Sequence, residues 1–405
     1  MIPEFTMSLS PAAVSRLTHL RCFIAAATGT CIASSTSWMQ PLIFQYLASD
    51  KHLHEATAGL MLTVEMGAMA TGAMLAARFV PRVLAQRSAI IGLVLAAVGS
   101  LATIYADQIW LLFVSRLLVG LGFGSTVMIS NIVAANFKDP DKALAQFGVM
   151  NLVFGGILVG LYPLVGHLIP AATPFTMIFG VILVLGPVLL ILPPMASFDR
   201  AAEMSVPHAH ETTRRAAKFN TLLLILVTAI VVLASGAVWG LYAVIGEQIG
   251  MAPAVVNAAI SFAIFSSIVG VAAPALFGNR FGRSAPFTLA MVAIAGAIYV
   301  LTSHPSELMF RVAVCINISA IYFMMPYLSG AAIVLDGGGK AAGYVSSAFF
   351  YATALGPFVG GLALSTVGLG IIGEIMVVLT MLVIGIFIYV DRSTKIHLAQ
   401  PLPAE

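Results

Sequence analysis

The chain has 405 residues, 60% of them hydrophobic and only 9% charged, and a net charge of +3. A soluble domain carries about 25% charged residues, so a water-soluble fold of this composition would expose large apolar patches, whereas a protein that crosses a membrane many times has this balance directly. The small net charge does not point to nucleic acid, and Cys22, Cys31 and Cys315, all in apolar runs, form neither a disulfide framework nor a metal-ligand pattern.

A helix needs about 20 mostly apolar residues to cross a bilayer. On that ruler the sequence predicts twelve spans: 22–48, 55–79, 87–105, 108–136, 143–168, 174–194, 219–246, 252–277, 285–303, 307–335, 341–366 and 370–390. The opening MIPEFT, ahead of Met7, reads as an extension, and the first apolar run leads into a full-length span rather than a cleavable signal peptide. One longer hydrophilic segment, 195–218, separates six spans from six. The expected organisation is an N-terminal half 1–194, a linker 195–218 and a C-terminal half 219–405. With the N-terminus in the cytoplasm, sixteen lysines and arginines fall in loops on that side and only Lys51 on the other. This bias predicts a multi-pass plasma (inner) membrane protein with both termini cytoplasmic.

Span one holds SSTSWMQPLIFQY, with Trp38, Gln40, Gln45 and Tyr46. Glu65 stands inside span two and Arg116 inside span four, at similar depth. A charge within a span costs about 2.5–3.5 kcal/mol on insertion scales, so each marks a functional candidate. The two are expected to touch, either as a proton-coupling pair or as a structural tie between spans two and four. Span seven carries Trp239, Tyr242 and, near its outer end, Glu247. Span ten carries Arg311, Asn317, Tyr322 and Tyr327. Arg311 and Glu247 are expected to form an outer gate pair, or else Arg311 snorkels to the interface. Glu374, at the start of span twelve, reads as interfacial. DGGGK, 336–340, lacks the leading glycine and the Ser/Thr of a phosphate loop. The two histidines of PHAHE, 207–211, have no second ligand pair, so neither a cofactor nor a metal is expected.

The two halves repeat. Arg78-Phe79 in AMLAARFVPR aligns with Arg280-Phe281 in ALFGNRFGRS at an offset of 202. Lys142-Ala143 aligns with Lys340-Ala341 at 198, Arg116 with Arg311 at 195, and Pro163-x-x-Gly166 with Pro357-x-x-Gly360 at 194. Each pair falls in the same slot of its half. Parallel six-helix repeats with a site between them are a transporter architecture.

In these features the whole chain resembles the major facilitator superfamily. NRFGRS is similar to the family's basic gating turn, RLLVGLGFG (116–124) to its fourth-span arginine with spaced glycines, and ALGPFVGG (354–361) to a helix-bending Gly-Pro motif. The turn's usual aspartate is Ala77 in one half and Asn279 in the other, and the Gly-Pro motif is clean only in span eleven. The resemblance implies an all-α polytopic fold of twelve transmembrane helices in two pseudo-symmetric bundles. It also implies alternating access and a cavity lined by spans one, four, seven and ten. Its substrate-binding candidates are then Trp38, Gln40, Arg116, Trp239, Tyr242, Arg311, Asn317 and Tyr322, although Trp38, Trp239 and Tyr242 also suit an interfacial aromatic belt. The gating candidates are Arg78, Arg82, Glu247, Asn279, Arg280, Gly282 and Arg283.

Two arginines facing one cavity favour proton-coupled import of a small organic acid. The Gly-Pro motif and the scarcity of cavity charges favour proton-driven export of a hydrophobic or amphipathic compound. A transporter-like receptor is the third reading. Around Ser125 the second glycine of a nucleophile turn is missing and no later span buries a histidine, so an enzyme is not expected. A monomer in the bilayer, with a small-molecule substrate and protons as partners, completes the expectation.

Overall fold

The structure is a computed structural model that describes residues 11–79, 84–135, 137, 140–169, 173–192, 211–277, 280–336 and 340–399. Thirteen α-helices follow one another: α1 Pro11–Gln45, α2 Glu55–Phe79, α3 Ala85–Ile104, α4 Ile109–Ala134, α5 Pro140–Leu168, α6 Pro174–Leu185, α7 Glu211–Trp239, α8 Tyr242–Gln248, α9 Pro253–Phe277, α10 Ser284–Thr302, α11 Glu307–Asp336, α12 Lys340–Thr366 and α13 Gly370–Ala399. There is no strand among the described residues. In lipid this is what the backbone requires, because a helix satisfies its N–H and C=O groups internally. Among the described residues, eleven helices are long and apolar enough to cross a membrane. The remaining span is α1, whose run of threonine and serine from Thr28 to Ser37 lowers its hydropathy. The protein is an all-α polytopic membrane protein of twelve spans in two six-helix bundles.

Helix ends depart from the predicted spans at several points, among them the earlier start of α1 at Pro11 and the later end of α13 at Ala399. The seventh span is broken, with α7 ending at Trp239 and α8 starting at Tyr242. Gly240 is a poor helix former, and the chain tightens there through a short bond from Leu241 N–H to the Val238 carbonyl, 3.0 Å. Span six gives way at Gly186-Pro187 to a 3₁₀ stretch, and span one ends in a π-helical turn, Tyr46–Asp50. Helix α7 starts at Glu211, so the last residues of the expected linker are helical; 193–210 lie outside the described residues.

Within the N-terminal bundle α2 and α4 meet main chain to main chain. A Cβ on Gly72, Gly120 or Gly124 would collide with the backbone of the facing helix. Gly120 and Gly124 stand one and two turns after Arg116, so the arginine and its spaced glycines share one face of α4. That is the physical content of the motif: small residues let two helices approach closely in a membrane. In the C-terminal bundle, Gly356 and Gly360 of α12 do the same against Gly236 and Ala237 of α7.

The two bundles meet through α2 with α12 and α5 with α9. The Thr63 hydroxyl donates to the Ala354 carbonyl, 2.7 Å, and the Ser261 hydroxyl to the Gly156 carbonyl, 2.7 Å. Gly59 lies against the main chain of Pro357 and Phe358, and Gly361 against that of Glu55. These contacts lie at or beyond the helix midpoints. They sit towards the face opposite the one that carries the lysine- and arginine-rich loops (the basic face).

Candidate functional site

Inside the N-terminal bundle Glu65 and Arg116 form an ion pair at 3.3 Å, and neither side chain is exposed at all. The contact expected from their matched depth is present. The close packing of α2 on α4 at Gly120 puts the Glu65 main chain directly against α4. Arg116 also donates to Thr103 Oγ1 of α3 through Nε, 3.1 Å, and a terminal nitrogen, 2.6 Å. Its guanidinium lies 4.5 Å from the centre of the Phe175 ring of α6, a cation–π contact strengthened by exclusion of water. The second oxygen of Glu65, Oε2, has no hydrogen-bond partner. Thr36 of α1 is buried, and its hydroxyl likewise has no partner. One turn along α1, Gln40 is also buried and its Nε2 is unpartnered.

A line of aromatic rings crosses from one bundle into the other. Trp38 is buried against Gly155, where a side chain would strike its ring, and its indole N–H donates to Asn151 Oδ1 of α5, 3.1 Å. Trp239 meets it edge-on at 6.2 Å and donates its own indole N–H across the bundles to the Ser37 carbonyl, 3.2 Å. Tyr242 stands edge-on to Trp239 at 5.4 Å and donates its hydroxyl to Asn317 Oδ1 of α11, 2.9 Å. Edge-to-face geometry suits the quadrupoles of all three rings. The break in the seventh span, between Trp239 and Tyr242, lies within this line. Tyr322 is half-buried further along α11 and is not brought into it.

The rim on the opposite face differs from expectation. Glu247 does reach across the bundles, but it accepts from Gln45 Nε2, 3.0 Å. Arg311 pairs instead with Glu307, one turn back on its own helix; the two side chains are 49% and 54% exposed. The reason is register. Arg116 stands seven positions after the first residue of α4 and Arg311 only four after the first of α11. At 1.5 Å per residue that places Arg311 about 4.5 Å nearer the end of its helix, where its side chain is exposed. The sequence offset of 195, smaller than that of the basic loops, carried this signal. Glu374 is exposed.

At the basic face Arg78 is exposed, 5.7 Å from the Phe79 ring; Arg280 is exposed and Arg283 half-buried. Gly282 has φ 63°, a left-handed conformation that explains a glycine in this turn. Arg82 and Asn279 lie outside the described residues. Sequence reasoning missed Thr103, Phe175, Ser37 and Glu307. Nothing marks a threonine or a phenylalanine in an apolar run as the partner of one particular arginine.

The profile of the Major Facilitator Superfamily matches residues 26–336. No curated protein sequence matches the chain. Among solved structures, the fold is similar to the nucleoside transporter NupG, with TM-score 0.69 and 12% identity over 92% of this chain and 98% of that one. It is also similar to a structure of proton-dependent oligopeptide transporters, with TM-score 0.67 and 13% identity over 93% and 100% of the two chains. The human organic anion transporter MFSD10 matches with TM-score 0.61 and 14% identity over 94% and 100%.

Proposed function

The chain belongs to the major facilitator superfamily and is a transporter, not an enzyme; from that premise we propose that it couples proton movement to the passage of a small organic solute by alternating access. The observation that carries this reading is the Glu65–Arg116 pair, fully enclosed by the N-terminal bundle with one carboxylate oxygen unpartnered. A buried ion pair adds little net stability, whereas removing one partner costs about 3–5 kcal/mol. The arrangement therefore suits a switch better than a strut: a proton on Glu65 would release Arg116 to Thr103 and change how α2 sits on α4. The halves 1–194 and 219–405 are the two rocking bodies in this reading. The contacts between the bundles, gathered opposite the basic face, support a state closed on that side, with the basic face taken as cytoplasmic by its loop charges.

The solute site in this reading is the aromatic line from Trp38 to Asn317. Two arginines facing one cavity would favour an organic acid. Arg311, however, is at the surface, and Arg116 is engaged by Glu65 and Thr103. The uncharged aromatic line favours the second reading of the sequence, proton-driven export of a hydrophobic or amphipathic compound.

The test is Glu65→Gln in proteoliposomes. The variant should bind and exchange solute but lose accumulation driven by a pH gradient. Pairing it with Arg116→Gln, which leaves no lone buried charge, controls for folding. Undiminished gradient-driven transport in the folded single variant would sink the proton role.

A further inference from the structure

We propose that the aromatic line takes a flat, uncharged aromatic solute carrying a hydrogen-bond acceptor at its edge, a carbonyl oxygen or a ring nitrogen, and that Asn317 is the residue that reads that edge. The inference rests on the transporter reading above and adds the chemistry of the solute.

Four observations converge. First, both indole N–H groups are already used, by Asn151 and by the Ser37 carbonyl, so Trp38 and Trp239 offer ring surface rather than hydrogen bonds. Second, the Tyr242 hydroxyl holds Asn317 by Oδ1, which fixes the amide and presents Nδ2 as a donor. Third, that Nδ2 is buried and has no partner, and neither has the hydroxyl of Ser235, one turn before Trp239 on the same face of α7. A buried donor without a partner costs about 1–3 kcal/mol, a cost that an acceptor brought by a ligand removes. Fourth, neither charged group described at the rim offers an anion a free cation. Glu247 at the rim is acidic and bonded to Gln45, while Arg311 is tied to Glu307 at the surface. An aromatic wall with an uncharged amide donor held in place selects for shape and for an acceptor, not for charge. Tyr242 is the positioning residue, because it acts through Asn317.

Three probes of similar size separate edge chemistry from ring chemistry: acetophenone carries an uncharged carbonyl, benzoate a carboxylate, and ethylbenzene no polar edge. Each is titrated into the purified full-length protein and read as a rise in melting temperature. Acetophenone should stabilise at concentrations about tenfold below those of the other two, a factor worth about 1.4 kcal/mol. Asn317→Leu should abolish that preference while ethylbenzene binds as before. Tyr242→Phe, which keeps the donor but frees its orientation, should reduce the preference part-way, and it serves if Asn317→Leu does not fold. The proposal is overturned if benzoate binds better than acetophenone, if acetophenone shows no advantage over ethylbenzene, or if the preference survives the substitution at 317. It is equally overturned if both variants keep the wild-type ranking. Gradient-driven transport by Glu65→Gln, which leaves Asn317 untouched, reports separately on the transporter reading.

Discussion

At Arg116 the guanidinium is used on three sides: an ion pair to Glu65, two bonds to Thr103 and a face on Phe175. Only a planar, forked cation can do this at once, and a lysine cannot. Arg116→Lys should therefore keep the charge yet lower stability by about 1–3 kcal/mol, the cost of leaving buried partners unpaired. Thermal melting of the purified variant checks this, and a melting temperature equal to wild type would refute the shared geometry. Glu65 and Arg116 were legible in the sequence because a charge in an apolar run is rare and costly. Their neighbours were not, since hydroxyl and aromatic side chains are ordinary in such helices. Arg311 shows the limit of reading by analogy. Its slot in the repeat matched, but three positions of register separate a buried arginine from a surface one.

Elements are held together here by the absence of side chains. Gly120 and Gly67 lie on the same pair of helices but differ in surroundings: a Cβ at 120 would collide with the Glu65 carbonyl, whereas at 67 nothing stands within 4 Å. Gly120→Ala should push α2 away from α4, with an overpacking cost of about 1–3 kcal/mol, and weaken gradient-driven transport through Glu65. Gly67→Ala should be neutral or stabilise by up to about 1 kcal/mol, because alanine is the better helix former. Equal melting temperatures for the two variants would contradict the packing described. The spacing R-x-x-x-G-x-x-x-G could be seen in the sequence; which helix it faced could not. The break between Trp239 and Tyr242 was hidden for a similar reason. A single glycine in an apolar run is usually tolerated, and only the packing around Gly240 decides that the helix stops there.

For the molecule as a whole, twelve spans, their alternation and the two bundles followed from apolar run length and loop charge, which are properties the bilayer imposes directly. Which face is closed did not follow, because it depends on how one bundle leans on the other. Gln45 and Glu247 span that closed rim at 3.0 Å. Replacing both with cysteine, after changing Cys22, Cys31 and Cys315 to serine or alanine, should let a short bis-methanethiosulfonate reagent crosslink the pair and stop transport, with activity restored by reductant. The reagent is needed because the contact joins side-chain tips, which a direct disulfide would not span. Full transport by the crosslinked protein would mean that this face does not open in the cycle.

The seam between α2 and α12 has a further consequence for how much sequence the fold demands. Where Gly59 and Gly361 bring main chain against main chain, the requirement is only that nothing project there; no particular partner has to be matched. A few positions that must stay small, set in helices that need only remain apolar, carry little information per residue. Such an architecture can be kept while most of its letters are exchanged. Ancestry then persists in the placement of the gaps between helices long after the residues that fill the rest have drifted apart.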